Sequence, residues 1–65
     1  MKMRKLFFRD WYGSTASVRF HRDDTVTLVI RTCRGGQVLR KTYASARGAR
    51  IAMGQYSDSW IEQVA

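Results

Sequence analysis

Apolar and polar residues alternate over residues 16–22. Ala16, Val18 and Phe20 are apolar, and the three residues that separate and follow them are polar. Because successive side chains of a strand point to opposite sides, this pattern predicts a strand with one buried face. Residues 22–25 contain two aspartates, which favour a turn because the Asp side chain bonds its own backbone.

Residues 25–33 predict a second strand, because β-branched residues dominate them. Its apolar positions 26, 28 and 30 share one face, and Thr27 and Arg31 lie on the other. Gly35-Gly36 then predicts a tight hairpin, since glycine reaches positive φ without strain. Residues 37–43 predict a third strand, in which Leu39 and Tyr43 point inward. The opposite register, with positions 38, 40 and 42 inward, stays open.

A helix is predicted from Ala46 to Met53, with Ser45 as its N-cap and Gly54 as its C-terminal stop. The two ends of the chain predict further strands, at residues 5–9 and 60–64, and a single helical turn remains the alternative for the second. The tryptophans near the two ends, Trp11 and Trp60, are expected to cap the core together. Residues 1–65 therefore predict a single small domain of the α+β class, with a three- to four-stranded antiparallel sheet and one α-helix packed on one face.

The composition excludes several classes of protein. With 45% hydrophobic residues the 65-residue chain is too apolar for a disordered tail, and no apolar run approaches the ~20 residues of a membrane span. Catalysis is not expected, because the single histidine, His21, and the single cysteine, Cys33, lie on different strands. The sequence predicts no metal and no cofactor. One free thiol and no export signal predict a cytoplasmic, intracellular protein.

The positive net charge is the feature of the composition that says most about a partner. The chain has 12 Lys+Arg against 5 Asp+Glu, a net charge of +7, and nine of the twelve are arginine. Arginine meets phosphates and guanine edges with two parallel hydrogen bonds. If the helix covers the apolar face of the sheet, the other face is open and cationic. The residues expected to contact nucleic acid there are Arg19, His21, Arg22, Thr27, Arg31, Arg34 and either Arg40 or Lys41, depending on the register of the third strand.

The segment Arg40-Lys41-Thr42-Tyr43-Ala44-Ser45-Ala46, continued by Arg47-Gly48-Ala49-Arg50-Ile51-Ala52-Met53, resembles a known sheet-to-helix junction. It is similar to that of the DNA-binding domain of plant ethylene-response factors and of the N-terminal domain of phage and transposon integrases. The resemblance implies a three-stranded sheet that reads the DNA major groove, with Arg19, Arg31 and Lys41 as contacts. It covers about the middle two-thirds of the chain.

Two functions are therefore expected, and the sequence leaves both open. The first is a small DNA-binding accessory protein, with DNA favoured over RNA. The second is a phage or mobile-element inhibitor, similar to anti-CRISPR proteins, that binds an acidic host protein or a nucleoprotein complex; its contacts would be Arg47, Arg50 and Ile51 on the outer side of the helix. No membrane partner is expected. A homodimer formed through an exposed edge strand also stays open.

Overall fold

The computed structural model describes residues 4–63, which form five strands and one helix. The elements in chain order are β1 (Lys5–Arg9), β2 (Thr15–Phe20), β3 (Val26–Arg31), β4 (Gln37–Tyr43), α1 (Ala46–Tyr56) and β5 (Ile61–Gln63). Every strand pairs antiparallel with its neighbours, in the order β4-β3-β2-β1-β5. The predicted α+β class, an antiparallel sheet with a helix on one face, is confirmed.

The sheet has five strands rather than three or four, because both end segments join it. β1 pairs with β2 along its whole length, from Lys5 opposite Arg19 to Arg9 opposite Thr15. After α1 has crossed the sheet, β5 returns to the far edge and pairs with β1. The strand predicted at residues 60–64 is therefore present over residues 61–63, and Val64 lies outside the described residues.

The core lies between α1 and the face of the sheet that carries the alternating apolar residues. Leu28 and Ile30 of β3 are 0% exposed, and Ala16 and Val18 of β2 lie beside them. These positions agree with the predicted period of two. Partly buried side chains from β1, β2, β4 and α1 surround this cluster, together with Trp60 before β5. The sequence of β2 and β3 thus determines which face the helix covers.

Small residues let α1 lie close to the sheet. Ala49 is 0% exposed, and a Cβ at Gly48 would stand 3.3 Å from the Tyr43 ring, so the lack of a Cβ there leaves room for the ring. Ser45 caps the helix as predicted, by accepting a hydrogen bond from the Gly48 N–H at 3.4 Å. The predicted stop at Gly54 is wrong. The helix continues to Tyr56 because Gly54 lies on its exposed side, where a glycine weakens a helix without ending it.

Trp60 links the segment that follows α1 to the C-terminal end of the helix. Its indole N–H donates to the carbonyl oxygen of Met53 at 2.8 Å, and that oxygen also accepts from the N–H of Ser57 at 3.0 Å. The ring stacks on Tyr56 with centroids 6.0 Å apart. Trp60 therefore covers the core as expected. Trp11 does not, since it is 84% exposed on the turn between β1 and β2.

The carboxylate of Asp10 holds that turn in one conformation. Asp10 is 6% exposed, and its Oδ1 accepts hydrogen bonds from the backbone N–H groups of Tyr12 at 3.0 Å and Ser14 at 2.7 Å. The N–H of Trp11 donates to Oγ of Ser59 at 2.9 Å, which ties the turn to the segment before β5. The backbone that carries Trp11 is thus held from both sides.

Substituting alanine for two glycines is expected to change stability in opposite directions. Gly13 has φ +86°, and a Cβ there would stand 3.2 Å from Cβ of Cys33, so Gly13→Ala destabilises by about 1–3 kcal/mol. Gly54 lies in α1 with no atom within 4 Å of a new Cβ, so Gly54→Ala stabilises by about 0.5–1 kcal/mol. Urea denaturation measures both. A Gly13→Ala protein as stable as the wild type would contradict the described turn.

Candidate nucleic-acid interface

The side of the sheet opposite α1 carries three rows of side chains, which we call the open face. Residues directly paired in a sheet project to the same side, so the register assigns each row. The rows are Ile61, Arg9, Thr15, Arg31 and Gln37; Gln63, Phe7, Ser17, Val29 and Arg40; and Lys5, Arg19, Thr27 and Thr42. The first row lies next to the Trp11 turn, and the third row lies at the other end of the strands.

Arg19 and Arg31 lie on the same side of the sheet, as the alternation predicted. Arg19 is opposite Thr27, and Arg31 is opposite Thr15. Both side chains are exposed. They occupy different rows and neighbouring strands, so their guanidinium groups lie diagonally across the open face.

The register of β4 decides between Arg40 and Lys41. Leu39 pairs with Ile30, Arg40 pairs with Val29, and Lys41 pairs with Leu28. Because Leu28 and Ile30 face the helix, Lys41 also projects to that side, where its Nζ lies 5.4 Å from the centroid of the Tyr43 ring. The placement of Lys41 among the contacts, which the resemblance implied, is therefore corrected. Arg40 joins the open face instead.

Two cations of the open face were missed by the sequence analysis. Lys5 and Arg9 flank Phe7 on β1, and all three project to this side. The alternating pattern was present, since Leu6 and Phe8 face the helix and pack against the core. The aromatic residue at the outward position 7 concealed it, because an exposed phenylalanine interrupts the apolar–polar period. Among residues 4–63, the open face thus carries five cations: Lys5, Arg9, Arg19, Arg31 and Arg40.

No carboxylate side chain lies on the open face of residues 4–63. Asp10 is buried in the turn before β2, and Asp23 and Asp24 lie in the turn before β3. Asp58 precedes β5, and Glu62 pairs with Phe8, which places it on the helix side. The positive potential of the five cations is therefore not offset by any acid within the same surface.

An imidazole and two hydroxyl groups lie within hydrogen-bonding distance of one another at the third row. Nε2 of His21 lies 2.7 Å from Oγ1 of Thr27, which lies 3.0 Å from Oγ1 of Thr42. His21 and Thr27, both predicted contacts, are thus brought together beside Arg19. Groups of this kind donate hydrogen bonds to phosphate and sugar oxygens.

Arg22 and Arg34 lie in turns at opposite ends of β3, and their surroundings differ. Arg22 is followed by Asp23, whose Oδ1 accepts hydrogen bonds from Oγ1 of Thr25 at 2.6 Å and from the Thr25 N–H at 3.2 Å. These bonds, the side-chain bond first, lower the pKa of Asp23 below its ordinary value. The Asp23 carboxylate lies in the same turn as Arg22, whereas the turn of residues 32–36 around Arg34 contains no acid.

The centre of the open face is recessed and partly apolar. Phe7, at 48% exposure, and Val29 lie in the middle row, with the small side chain of Ser17 between them. Longer side chains from the neighbouring rows surround this centre and enclose a concavity of about 360 Å³. A shallow trough with an apolar floor and a cationic rim results.

The outer side of α1 carries the residues predicted for a protein partner. Arg47, Arg50 and Ile51 are all exposed, and Ile51 is 55% exposed. Because α1 covers the opposite side of the sheet, this surface is separate from the open face. A ligand bound flat on one does not contact the other.

Within residues 4–63 no three His, Cys, Asp or Glu side chains come close enough together to hold a metal ion. No helix in the same part of the chain has the length and apolarity needed to cross a membrane. Comparisons with models of protein families, with curated proteins and with solved structures give no significant match.

The hydrogen bonds from Thr25 are expected to control the ionisation of Asp23. Thr25→Val removes the strongest of them and raises the pKa of Asp23 toward its ordinary value. Because the folded-state pKa is the lower one, the bond stabilises the fold above the unfolded carboxyl pKa, and this contribution is lost as pH falls through the lowered value. NMR titration of the Asp23 carboxyl carbon in both proteins measures the change; an identical midpoint would exclude the hydrogen bond.

Proposed function

We propose that this protein binds nucleic acid through its open face. The observation that carries the proposal is the placement of five cations on one side of the sheet, with no carboxylate side chain of residues 4–63 among them. Phosphate groups supply the complementary charge, and each cation that neutralises one releases a counterion. The hydroxyl groups of the third row suit sugar and phosphate oxygens.

Arginine accounts for four of the five open-face cations, and this favours phosphate over a carboxylate-rich protein only weakly, since the guanidinium fork suits both anions. The spread of the charges over four neighbouring strands favours nucleic acid further. Arg19 and Arg31 repeat across adjacent strands, and Arg9 and Arg40 extend the same surface on each side. A polymer with one anionic group per residue meets such a surface at several points at once.

Removing two central cations is expected to weaken binding without unfolding the protein. Hydrogen bonds to charged groups contribute ~1.5 kcal/mol or more each, or about tenfold in affinity per arginine, so Arg19→Ala with Arg31→Ala lowers affinity about a hundredfold at low salt. The log–log salt dependence becomes shallower by about 0.7–0.9 per arginine removed. Fluorescence anisotropy with a labelled oligonucleotide measures both quantities.

The matched control removes the same charge from the other side of the molecule. Arg47→Ala with Arg50→Ala also lowers the net charge by two, but both residues lie on the exposed surface of α1. This variant is expected to lose much less affinity than the open-face variant. Equal losses in the two variants would show a response to net charge alone, and no retention of any nucleic acid by the wild type would refute the proposed function.

The two turn arginines are expected to contribute unequally. Asp23 and Asp24 follow Arg22 directly, so their carboxylates offset part of the Arg22 charge. Arg34 has no such neighbour. Arg34→Ala is therefore expected to weaken nucleic-acid binding more than Arg22→Ala in the same anisotropy assay, and the difference is expected to shrink as salt rises. A larger loss for Arg22→Ala would contradict this ranking.

A specific observation supports the second candidate, an inhibitor of a host protein of the anti-CRISPR kind. Ile51 is 55% exposed directly after Arg50 and one helical turn after Arg47, so this apolar side chain has two cations close to it. An acidic partner with an apolar contact would fit this surface. Retention of one host complex after nuclease treatment, lost in Ile51→Ala and kept in Arg19→Ala with Arg31→Ala, would favour the inhibitor over the nucleic-acid-binding protein.

A further inference from the structure

Two aromatic side chains at the open face have no role in the core. Phe7 lies in the middle row at 48% exposure, and Trp11 extends from the adjoining turn at 84% exposure. Large apolar side chains in a 65-residue domain normally contribute to packing, because so small a core is marginal. The fold leaves these two accessible beside five cations.

The surroundings of Phe7 leave a flat group room to reach its ring. Its neighbours in the middle row are Ser17 on β2 and Gln63 on β5, and the serine is too small to cover the ring. Nζ of Lys5 lies 4.8 Å from the ring centroid. A planar ligand that stacks on Phe7 takes the place of this ammonium group, which its flexible stem then carries to an anionic group nearby.

Trp11 adjoins the same face at the edge formed by β5. Arg9, Ile61 and Gln63, which all belong to the open face, line one small recess of about 200 Å³ together with Trp11, Ser59 and the buried Asp10. The backbone of the turn is fixed by the hydrogen bonds of Asp10 and Ser59, so ordering it costs little on binding. Trp11 is therefore an exposed aromatic side chain on a fixed backbone at the end of the cationic trough.

The dimensions of the open face do not suit insertion into a duplex. Five strands at a spacing of ~4.8 Å give a face about 19 Å across, whereas the major groove is ~12 Å wide. The face is also recessed at its centre, with a concavity of about 360 Å³, whereas a groove accepts a protruding element. The groove-reading mode implied by the three-stranded resemblance is therefore disfavoured by the two added strands.

We propose that the ligand of the open face is a single-stranded nucleic acid whose unpaired bases stack on Phe7 and Trp11. The inference rests on the proposed function and specifies its substrate class. The cations pair with the phosphates of the strand, while the two aromatic rings meet its bases, which in a duplex are hidden by stacking and pairing. Unpaired bases occur in DNA and RNA alike, so both belong to the test.

The test compares labelled oligo(dT), oligo(rU) and a DNA duplex of equal length by fluorescence anisotropy at one salt concentration. The wild type is expected to bind one or both single strands at least about tenfold more tightly than the duplex. Stacking on one aromatic ring is worth ~1–3 kcal/mol by alanine substitution, so Trp11→Ala and Phe7→Ala each lower single-strand affinity about fivefold or more. Duplex affinity is expected to change less than twofold.

Tyr12→Ala is the matched control for Trp11→Ala. Tyr12 is the next residue of the same turn and is 76% exposed, but it lines a different recess, with Tyr56 and Asp58 on the helix side. Its removal is expected to leave single-strand affinity within about twofold. Phe7→Leu keeps an apolar side chain at the centre of β1 without a ring, so a loss of affinity in this folded variant reports stacking rather than packing.

Tryptophan fluorescence gives an independent readout. Trp11 is exposed, whereas Trp60 is partly buried and its indole N–H is bound to Met53. Oligo(dT) or oligo(rU) is expected to quench the emission of the wild type. Trp11→Phe retains a ring for stacking, so it is expected to keep most of the affinity and lose most of the quenching.

Each result has a defined meaning. Duplex affinity equal to or above single-strand affinity would overturn the single-strand proposal and leave the proposed function intact. The same conclusion would follow if Trp11→Ala and Phe7→Ala kept full single-strand affinity while Arg19→Ala lost it. Absence of binding to all three probes would refute the proposed function itself. A host protein retained through Trp11 after nuclease treatment, without affinity for the probes, would assign the aromatic rings to a protein interface instead.

Discussion

The packing of β3 against α1 is the interaction on which the rest of the structure depends. Leu28 and Ile30 are completely buried beneath Ala49 and Met53. Because side chains alternate along a strand, this packing directs Arg31 to the other side of the sheet. A slip of one residue would bury that guanidinium group without a partner, at a cost of several kcal/mol. The open face is cationic because the same alternation that builds the core excludes its charged positions from it.

The return of the chain to the far edge of the sheet depends on a different contact, the double hydrogen bond to the Met53 carbonyl. Ser57 and Trp60 both donate to this oxygen, which fixes the direction of the chain as it leaves the helix. The short strand β5 then pairs with β1, and Ile61 and Gln63 add a fourth inter-strand boundary to the open face. A helix-end contact on one side of the sheet thus sets the width of the open face on the other.

The predictable part of this structure is the part governed by period-two alternation. The strands predicted at residues 16–22 and 25–33 are present as Thr15–Phe20 and Val26–Arg31, with the predicted faces and with Arg19 and Arg31 on a common side. The register of β4 stayed open because its pattern is irregular, and the structure has a register shift between Ile30 and Arg31 where β4 pairs with β3. The outward position of Lys5 and Arg9 on β1 was not predicted, because Phe7 between them also faces outward and interrupts the alternation.

Trp11 marks a different limit of sequence reasoning. A tryptophan near the end of a small domain is expected to bury its large apolar surface, and Trp60 does so. The exposure of Trp11 follows from the Asp10 hydrogen bonds and from the Ser59 contact 48 positions away, which turn the backbone so that the side chain points to solvent. No local pattern contains that information. The role of the open face as a binding site rests on charge and shape, and it stays a proposal.

The charges and the exposed aromatic rings on one side of the molecule each destabilise the free protein, and a ligand that relieves both effects must carry negative charge and aromatic surface. Five cations on one face repel each other. The exposed Trp11 forgoes roughly 2–3 kcal/mol of burial, and the half-exposed Phe7 forgoes roughly 1 kcal/mol, in a domain whose core is marginal. An acidic protein surface or a duplex would relieve the repulsion, but a duplex offers no free base to cover the rings. A single strand carries both complements in each nucleotide, a phosphate and an unpaired base. The arrangement of Phe7 within the cationic trough, with Trp11 held at its end, therefore favours a ligand in which charge and aromatic surface alternate along one chain.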